Sequence, residues 1–302
     1  MPEVLVVGSV AFDSISTLHG EVEEEPGGAA TYFSLGASNF APVKLVGVVG
    51  EDFDQKLLAR LKRKNIDLRG LEIKQGKDTF RWKGHYGADL EAQTDETHLN
   101  VFADFDPTLP EDYRDIPYVF LGNIDPEIQL SVLDQMRHPK VVACDTMNFW
   151  IEGKPDELEK VLERVDFFFL NDGEARLMTG QANLITAAQE LRRRGPSVVI
   201  IKKGEHGVFM VGSDWQFVLP GFPVALVKDP TGAGDSFGGG FMGYLAASAR
   251  DDFEALKRAL VYGNITASFT VQHFGVEGLL ELEDWDLDER YQRFVRLTHF
   301  DY

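Results

Sequence analysis

Length, composition and charge exclude several classes of protein. The chain has 302 residues, 44% of them hydrophobic and 26% charged, and its 30 basic and 49 acidic side chains give a net charge of −19. These values predict a soluble globular protein, large enough for one α/β domain or two smaller ones. The acidic balance argues against non-specific binding to nucleic acid or to an anionic membrane.

Cysteine usage and the first residues bear on the compartment. The single cysteine, Cys144, excludes an intrachain disulfide, and its apolar neighbours predict a buried thiol. The chain enters its first apolar segment without the basic and apolar regions of a secretory leader, and no apolar run reaches the length of a membrane span. The expected compartment is therefore the cytoplasm.

Short apolar runs alternate with helical patterns along most of the chain. The pattern predicts buried strands and amphipathic or small-residue helices in turn, as in an α/β protein with parallel strands. Predicted strands are residues 3–10, 43–49, 118–121, 140–144, 167–170 and 198–201, followed by an antiparallel meander at 208–218. Predicted helices include residues 29–39, 52–64, 125–136, 155–165 and 253–271, with an amphipathic tail at 285–297.

Three segments interrupt this alternation. Residues 14–22 alternate polar and apolar side chains, which predicts a half-exposed strand, and residues 79–86 and 97–102 predict a hairpin for the same reason. Together they predict a small sheet that covers the main sheet as a lid. Polar residues follow several predicted strands, where ligands of open α/β sheets gather: Asp13, Asn123 and Asn148.

The stretch 227–241 is the most informative in the chain. An apolar run at 222–227 meets a turn and then a small-residue helix, which predicts strand, tight turn and buried helix. The first amides of a helix lack intrahelical partners, so Gly232, Ala233 and Gly234 predict an anion site. Asp235 beside such a site fits a general base next to a phosphoryl acceptor. The alternative is an ordinary helix with an aspartate in its first turn.

Other nucleotide and metal signatures are missing from the sequence. Gly76-Lys77 is followed by Asp78 in place of Ser or Thr, so no P-loop is present, and the glycines at 232–240 do not fit the dinucleotide-binding pattern. The seven histidines show no zinc-ligand spacing.

The string from Asp229 to Phe237, with Asn171-x-x-Glu174 upstream and an early Gly27-Gly28 pair, resembles the ribokinase-like (PfkB) carbohydrate and nucleoside kinases along essentially the whole chain. The resemblance implies transfer of the γ-phosphoryl group of ATP to a hydroxymethyl group. It also implies a ribokinase-like α/β fold, a mainly parallel sheet with helices on both faces plus a small β-sheet lid. We expect a single domain over residues 1–302, with the lid inserted from about 13–23 and 78–105.

The resemblance also implies roles for individual residues. Asp235 would be the base, beside the anion hole formed by Gly232, Ala233 and Gly234. Asn171 and Glu174 would position Mg²⁺ through water, although the same pair is also a capping-box pattern. The remaining nucleotide contacts would come from Lys202, Gly204, Gly207, Thr231 and Asn264.

For the acceptor, the resemblance implies Asp13 as the carboxylate that binds a hydroxyl, with Gly27 and Gly28 beside it and Asn123 and Asn148 as further contacts. Ala11 and the Ala-Ala-Thr run at 29–31 depart from ribokinase itself, which places ribose in doubt and leaves the acceptor open among sugars and nucleosides. Lid aromatic residues could stack on a base or sugar or serve packing alone: Trp82, His85, Tyr86 and Phe102.

Two alternative functions stay open at this point. One is a vitamin or pyrimidine-alcohol kinase of the same superfamily, and the other is a non-catalytic nucleotide-binding regulator. Family members often dimerise through the lid and some bind a monovalent cation, which here would lie near Asp229 and Thr231. We therefore expect a homodimer and a cation site as implications of the resemblance.

Overall fold

Two sheets organise the chain in a computed structural model, which describes residues 1–88 and 90–299. Within those residues the strands in chain order are β1 Val4–Val7, β2 Ala11–Thr17, β3 Gly20–Gly27, β4 Val43–Gly50, β5 Ile66–Lys74, β6 Phe80–Tyr86, β7 Ala92–His98, β8 Tyr118–Leu121, β9 Val141–Asp145, β10 Phe167–Asn171, β11 Val198–Lys202, β12 Val208–Val211 and β13 Gln216–Leu219.

The larger sheet has the strand order β13-β12-β11-β10-β9-β8-β1-β4-β5. Its pairs are parallel from β11 through to β5, and the antiparallel pairs β11–β12 and β12–β13 close one edge. The predicted mainly parallel sheet is therefore confirmed. Because the strands run in the same direction, their C-terminal ends meet along one edge, where polar loops can converge.

Helices cover both faces of this sheet. They are α1 Ala29–Ser38, α2 Gln55–Arg63, α3 Pro126–Gln135, α4 Asn148–Gly153, α5 Pro155–Leu162, α6 Asp172–Thr179, α7 Leu184–Arg193, α8 Ala233–Ser248, α9 Phe253–Thr270, α10 Glu277–Leu280 and α11 Asp284–Thr298.

Strand β1 shows why both faces need helices. Val4 and Val6 join one hydrophobic core, which α1, α8 and α9 help to form, whereas Leu5 and Val7 join the opposite core with α3, α5 and α7. Successive side chains of a strand point to opposite faces, so a strand that is apolar at every position must be covered on both sides.

The smaller sheet has the order β3-β2-β6-β7 and is separate from the larger one. The predicted lid sheet is thus present, but two details of the prediction were wrong. Residues 14–22 form parts of two paired strands, β2 and β3, instead of one, because the chain turns after Thr17.

The second error concerns the outer strand of the lid hairpin. Residues 97–102 were predicted to form it, whereas the strand is β7 and a 3₁₀ turn follows at Asn100–Asp104. Every residue of β7 is exposed, so its sequence carries no apolar alternation to reveal it. Asn100 adopts a left-handed φ of 47°, which ends the strand, and Phe102 then stacks on Phe80 and Phe105.

The predicted strand at 222–227 was also wrong, because this segment is an irregular extended loop. Pro223 within the segment and Pro220 just before it lack the amide donors that a ladder needs. Instead, the Asn264 side chain of α9 holds the loop: its Nδ2 donates to Pro220 O at 2.7 Å and its Oδ1 accepts from Phe222 N at 2.9 Å. No helix in the described part of the chain is both long enough and apolar enough to cross a membrane.

Candidate active site

The N-terminus of α8 lies at the centre of the candidate site. Gly232 is the residue before the helix and has a left-handed φ of 72°, and the Tyr32 ring occupies the space that a Cβ there would need. Ala233 N donates to Pro230 O at 3.2 Å. Among the described residues, the amides of Gly232 and Gly234 have no backbone acceptor, so they are free donors in this turn.

The loop before α8 is held by Asp229. Its Oδ1 accepts from Thr231 N at 2.9 Å and its Oδ2 accepts from Gly275 N at 3.3 Å. The Thr231 hydroxyl donates to the Tyr86 hydroxyl of the lid at 2.9 Å. Asp229 therefore shapes the turn, and Tyr86 links the turn to β6.

Asp235 occupies the first turn of α8. The pKa of Asp235 is raised to about 7, chiefly by burial and also by the negative charge of Asp145, while the positive charge of Lys202 opposes both effects. A carboxylate in this condition can accept a proton near neutral pH, which an ordinary aspartate with a pKa of about 4 does poorly.

The ends of β9, β10 and β11 bring three further charged side chains to the same region. Asn171 and Glu174 form a capping box: Asn171 N donates to Glu174 Oε2 and Glu174 N donates to Asn171 Oδ1, both at 2.7 Å. The capping box that the sequence pattern allowed is therefore present. It uses Glu174 Oε2 and leaves the other carboxylate oxygen of Glu174 out of the box. Burial and the nearby charge of Asp145 raise the pKa of Glu174, while Lys202 lowers it.

Lys202 binds Asp145, with Nζ 2.7 Å from Oδ2. Asp145 was not among the predicted site residues. Asp145 is the last residue of β9, so the expectation that ligands gather at strand ends applies to it as well. The sequence prediction named Asn148 from this segment instead. Asn148 begins α4 and is exposed.

The other predicted nucleotide residues lie apart from this group. Gly204 and Gly207 form the short turn between β11 and β12, and the space around the Gly204 Cα is open. Asn264 uses both ends of its amide to hold the 220–222 backbone. It therefore holds the loop that follows β13.

Asp13 belongs to β2 and faces Gly27 and Gly28. Its Oδ2 accepts from Gly28 N at 3.2 Å, and a Cβ on Gly27 would overlap this carboxylate. The pKa of Asp13 is raised to about 7: burial is the main cause and the negative charges of Asp229 and Asp235 add to it, while the Gly28 hydrogen bond opposes the rise. Gly28 has φ 89°, and a Cβ there would lie 2.6 Å from Ser9 O.

Tyr32 is a second residue that the sequence prediction missed. Its ring packs against Gly232, and its hydroxyl is buried without a hydrogen-bond partner in the described part of the chain. Burial raises the pKa of Tyr32, as do the charges of Asp13 and Asp229. In the sequence, Tyr32 fits the pattern of a buried helix position, so nothing in the neighbouring residues indicates a role in the site.

The remaining acceptor candidates behave differently from one another. Asn123 follows β8, and its Oδ1 is buried without a partner among the described residues, so it can receive a donor. Of the lid aromatic residues, Tyr86 reaches the α8 turn. Trp82 Nε1 instead donates to Thr94 Oγ1 at 3.1 Å, and His85 Nδ1 lies 2.9 Å from Asp95 Oδ1.

Solved structures share this arrangement of a large sheet and a small lid. A nucleoside kinase from Methanocaldococcus jannaschii aligns with a TM-score of 0.79 at 22% identity, over 97% of this chain and 99% of that one. A protein from E. coli assigned as ribokinase II, solved with ATP and Mg²⁺, aligns with a TM-score of 0.76 at 20% identity, over 97% and 100%. The fold is ribokinase-like.

Sequence similarity defines the family. A model described as pfkB family carbohydrate kinase matches residues 1–282. A cytidine kinase from Thermococcus kodakarensis is 32% identical over 248 residues, which cover 80% of this chain and 88% of that protein. The chain belongs to the pfkB family of carbohydrate kinases, and the proteins it is similar to include a cytidine kinase and a nucleoside kinase.

The site residues fit the anionic end of a nucleotide. The free amides of Gly232 and Gly234 and the Lys202 ammonium provide positive charge at one point. For Mg²⁺ the fit is indirect: the described residues contain no group of three or more His, Cys, Asp or Glu that could hold a metal. Mg²⁺ keeps much of its water and binds through few carboxylates plus phosphate oxygens, so Glu174 alone suits that mode.

Proposed function

We propose that the chain transfers the γ-phosphoryl group of ATP to a hydroxymethyl group of an uncharged nucleoside or sugar, with Asp235 as the base. One observation carries this proposal. A carboxylate with a pKa raised to about 7 lies one residue after Gly234, in the same turn that offers free amides. A proton acceptor and an anion site in one turn are what phosphoryl transfer to an alcohol requires.

The chain's own residues divide the reaction between them. Asp235 accepts the hydroxyl proton as the acceptor oxygen bonds to the γ-phosphorus. The bond from that phosphorus to the bridging oxygen breaks, and ADP leaves with the electron pair. The amides of Gly232 and Gly234 stabilise the charge on the transferring oxygens, and each well-aimed donor is worth about 3 kcal/mol of barrier. Ala233 contributes to the turn through its bond to Pro230 O.

The nucleotide side of the proposal uses residues at the ends of β10 and β11. Glu174 would hold Mg²⁺ through water, with Asn171 fixing the carboxylate by the capping box. Mg²⁺ supplies charge neutralisation between the phosphates when bound. Lys202 would contact phosphate, Thr231 would shape the loop, and the turn with Gly204 and Gly207, together with the loop held by Asn264, would border the base.

The acceptor side favours an uncharged molecule. Asp229 and Asp235 both raise the pKa of Asp13 through their negative charge, and three carboxylates therefore share this region. An acceptor that carries a phosphate or carboxylate would be repelled there. Asp13 would bind a hydroxyl, with the Gly27 and Gly28 backbone beside it. Further contacts would come from Asn123 and from Asn148, the latter only if the acceptor reaches the start of α4.

Within the uncharged acceptors, similarity to a cytidine kinase favours a nucleoside. We also propose that residues 1–302 act as one domain with an inserted lid, that a homodimer forms through the lid and that a monovalent cation binds near Asp229. Both Asp229 oxygens accept backbone amides, so such an ion would share them.

A coupled assay of ADP release over a panel of acceptors tests the function. The panel pairs neutral molecules with charged counterparts that keep a free hydroxymethyl group: cytidine with cytidine 3′-monophosphate, and fructose with fructose 6-phosphate. A hydroxymethylpyrimidine tests the vitamin-kinase alternative. We expect turnover with neutral nucleosides or sugars and at least tenfold lower kcat/KM for each charged partner. A preference for the charged partners, or no ADP with any acceptor, would contradict the proposal.

A further inference from the structure

An oppositely charged pair lies at the C-terminal ends of β9 and β11. Lys202 Nζ is 2.7 Å from Asp145 Oδ2, and the two side chains are only 17% and 7% exposed. Strand β10 lies between them, so the pair reaches across Asn171, which is the register partner of Lys202. Charges removed from water are costly without a partner, so each of these groups depends on the other.

Asp145 is fixed independently of the lysine. Its Oδ1 accepts from Thr146 N at 2.9 Å, and its carbonyl oxygen accepts from Gln129 Nε2 at 3.2 Å. The same Gln129 amide donates to Gly122 O at 2.9 Å, which ties the ends of β8 and β9 together. The carboxylate is thus a rigid acceptor, whereas the lysine stem is flexible and takes its position from what it binds.

The position of the ammonium group is specific. A Cβ on Gly234 would lie 2.9 Å from Lys202 Nζ, so the ammonium lies against the first turn of α8, beside the free amides. Burial alone lowers the pKa of Lys202, but the charges of Asp145 and Glu174 outweigh it and leave the pKa above its ordinary value. Lys202 therefore stays protonated at neutral pH.

We propose that Asp145 is a positioning residue that holds the Lys202 ammonium beside the first turn of α8, where Lys202 contacts the phosphoryl group in transfer. This inference rests on the proposed phosphotransfer. It adds that the position of the Lys202 ammonium is set by Asp145. Neither residue forms or breaks a covalent bond or exchanges a proton. Lys202 lowers the charge on the transferring oxygens, and Asp145 acts on those oxygens only through Lys202. Asp145 also raises the pKa of Asp235, so kcat is measured at pH 9, where Asp235 is deprotonated in every variant.

A double-mutant cycle on kcat tests this dependence. Asp145→Asn keeps the shape and the Oδ1 acceptor but removes the charge, and we expect kcat to fall about 10- to 100-fold through misplacement of the ammonium. The acceptor KM should stay within about twofold. Lys202→Met removes the ammonium and should cost about 10²- to 10³-fold. The double variant should match Lys202→Met, because the carboxylate has nothing left to position.

Additive losses would overturn the proposal, because a carboxylate that slows the Lys202→Met enzyme as much as the native one acts by another route. Asp166→Asn is the matched control. Asp166 is also an aspartate whose pKa is raised by burial, and its Oδ2 accepts from Val142 N at 2.8 Å. It lies at the N-terminal ends of β9 and β10, whereas Asp145 lies at the C-terminal end of β9. This variant should retain the native kcat.

A binding measurement separates this inference from the proposed function. By calorimetry, Asp145→Asn should weaken binding of a non-hydrolysable ATP analogue about tenfold and leave ADP binding within about twofold, because the ammonium serves the transferring group. Equal weakening of both nucleotides would overturn the inference. If Asp145→Asn does not fold, Asp145→Glu, which keeps the charge but moves the carboxylate by one methylene, gives the same comparison. A native protein that binds the analogue but phosphorylates no acceptor would contradict the function alone.

Discussion

Asp235 combines a position that favours its negative charge with surroundings that oppose it. The N-terminal turn of a helix stabilises an anion, whereas burial and Asp145 raise the pKa of this carboxyl to about 7. The balance leaves a carboxylate that is more basic than a surface aspartate. Such a group suits proton transfer at neutral pH because its pKa is close to the working pH.

This pKa sets the expected pH dependence. A base works only when deprotonated, so raising its pKa moves the loss of activity to higher pH. We expect kcat/KM for the acceptor to fall as the pH drops through about 7, where Asp13 also gains its proton. The measurement is kcat/KM from pH 5 to 9 at saturating nucleotide. An acid limb near pH 4, the ordinary aspartate value, would show that these carboxyl groups are not perturbed or not required.

Gly232 offers a test of the turn itself. Gly232→Ala forces a side chain into a left-handed φ of 72° and into the Tyr32 ring, so both the loop and the free amides should move. We expect a loss of about 1–3 kcal/mol in the free energy of unfolding and a kcat at least 100-fold lower.

Gly76→Ala is the control for this variant. Gly76, between β5 and β6, also has a left-handed φ, of 68°, but open space surrounds it. This variant should lose about 1 kcal/mol from backbone strain alone and keep most of its turnover. Equal kcat values for the two variants would contradict the role given to the Gly232 turn. Thermal or urea unfolding together with the ADP assay measures both quantities.

Local sequence could identify only part of the site. Gly232, Gly234 and Asp235 lie within one short motif that predicts an anion site at a helix start, and Asn171 with Glu174 lie within another, whose role was implied by the family resemblance. Tyr32 and Asp145 are different, because their importance comes from contacts with residues far along the chain. A helix position that is apolar in pattern gives no sign that its hydroxyl faces acidic groups.

At the scale of elements, the lid and the α8 turn are joined by two hydrogen bonds. Thr231 Oγ1 donates to the Tyr86 hydroxyl at 2.9 Å, and Thr17 Oγ1 donates to Lys228 O at 2.9 Å. These bonds connect β6 and β2 of the lid to the loop before α8. The lid is therefore coupled to the loop that precedes the proposed base, Asp235.

Tyr86→Phe removes one of these bonds and keeps the ring. Loss of one hydrogen bond of about 1 kcal/mol predicts a kcat/KM about fivefold lower, with a larger effect on acceptor KM than on nucleotide KM. Tyr113→Phe is the matched control. Tyr113 is also buried, and its hydroxyl donates to Asp67 O at 3.4 Å, away from the lid. An unchanged kcat/KM in Tyr86→Phe would show that this bond does not couple the lid to the site.

Strands could be predicted where burial leaves an apolar run or an alternation of apolar and polar side chains in the sequence. The apolar strand at Tyr118–Leu121 was predicted at its observed bounds, and the alternation over residues 79–86 revealed β6. The exposed β7 has no such pattern, because neither of its faces needs apolar side chains. The 222–227 loop misled the prediction in the opposite way: its side chains are apolar, but prolines prevent a ladder.

At the scale of the whole molecule, charge is distributed unevenly. A net charge of −19 would repel a nucleotide in general, so the proposed nucleotide binding depends on local groups, chiefly Lys202 and the helix amides. The region proposed for the acceptor is acidic, and the region proposed for the phosphates holds the Lys202 cation. This division was not predictable from composition, because it depends on which strand ends meet at the edge of the sheet.

The lid also bears on the proposed homodimer. The apolar faces expected for the lid are not found on β7, whose single apolar residue is Ala92, so a dimer there would have to pair the exposed strand edges. Sedimentation over a range of concentrations should show a dimer for the native chain and a monomer for a variant with lysine at Ala92 and Gln93. Leu18→Lys, at the exposed turn between β2 and β3, is the control and should stay dimeric. A native chain that stays monomeric at all concentrations would contradict the proposal.

Substitution of Asp235 by asparagine is the most direct test of the whole account. Asp235→Asn keeps the size of the side chain and the free amides of the turn but removes the proton acceptor. We expect nucleotide binding within a few-fold of the native protein, measured by calorimetry, and a kcat lower by about 10²- to 10⁴-fold in the ADP assay with the preferred neutral acceptor. A variant that binds nucleotide and retains most of the native kcat would contradict the role of Asp235 as the base.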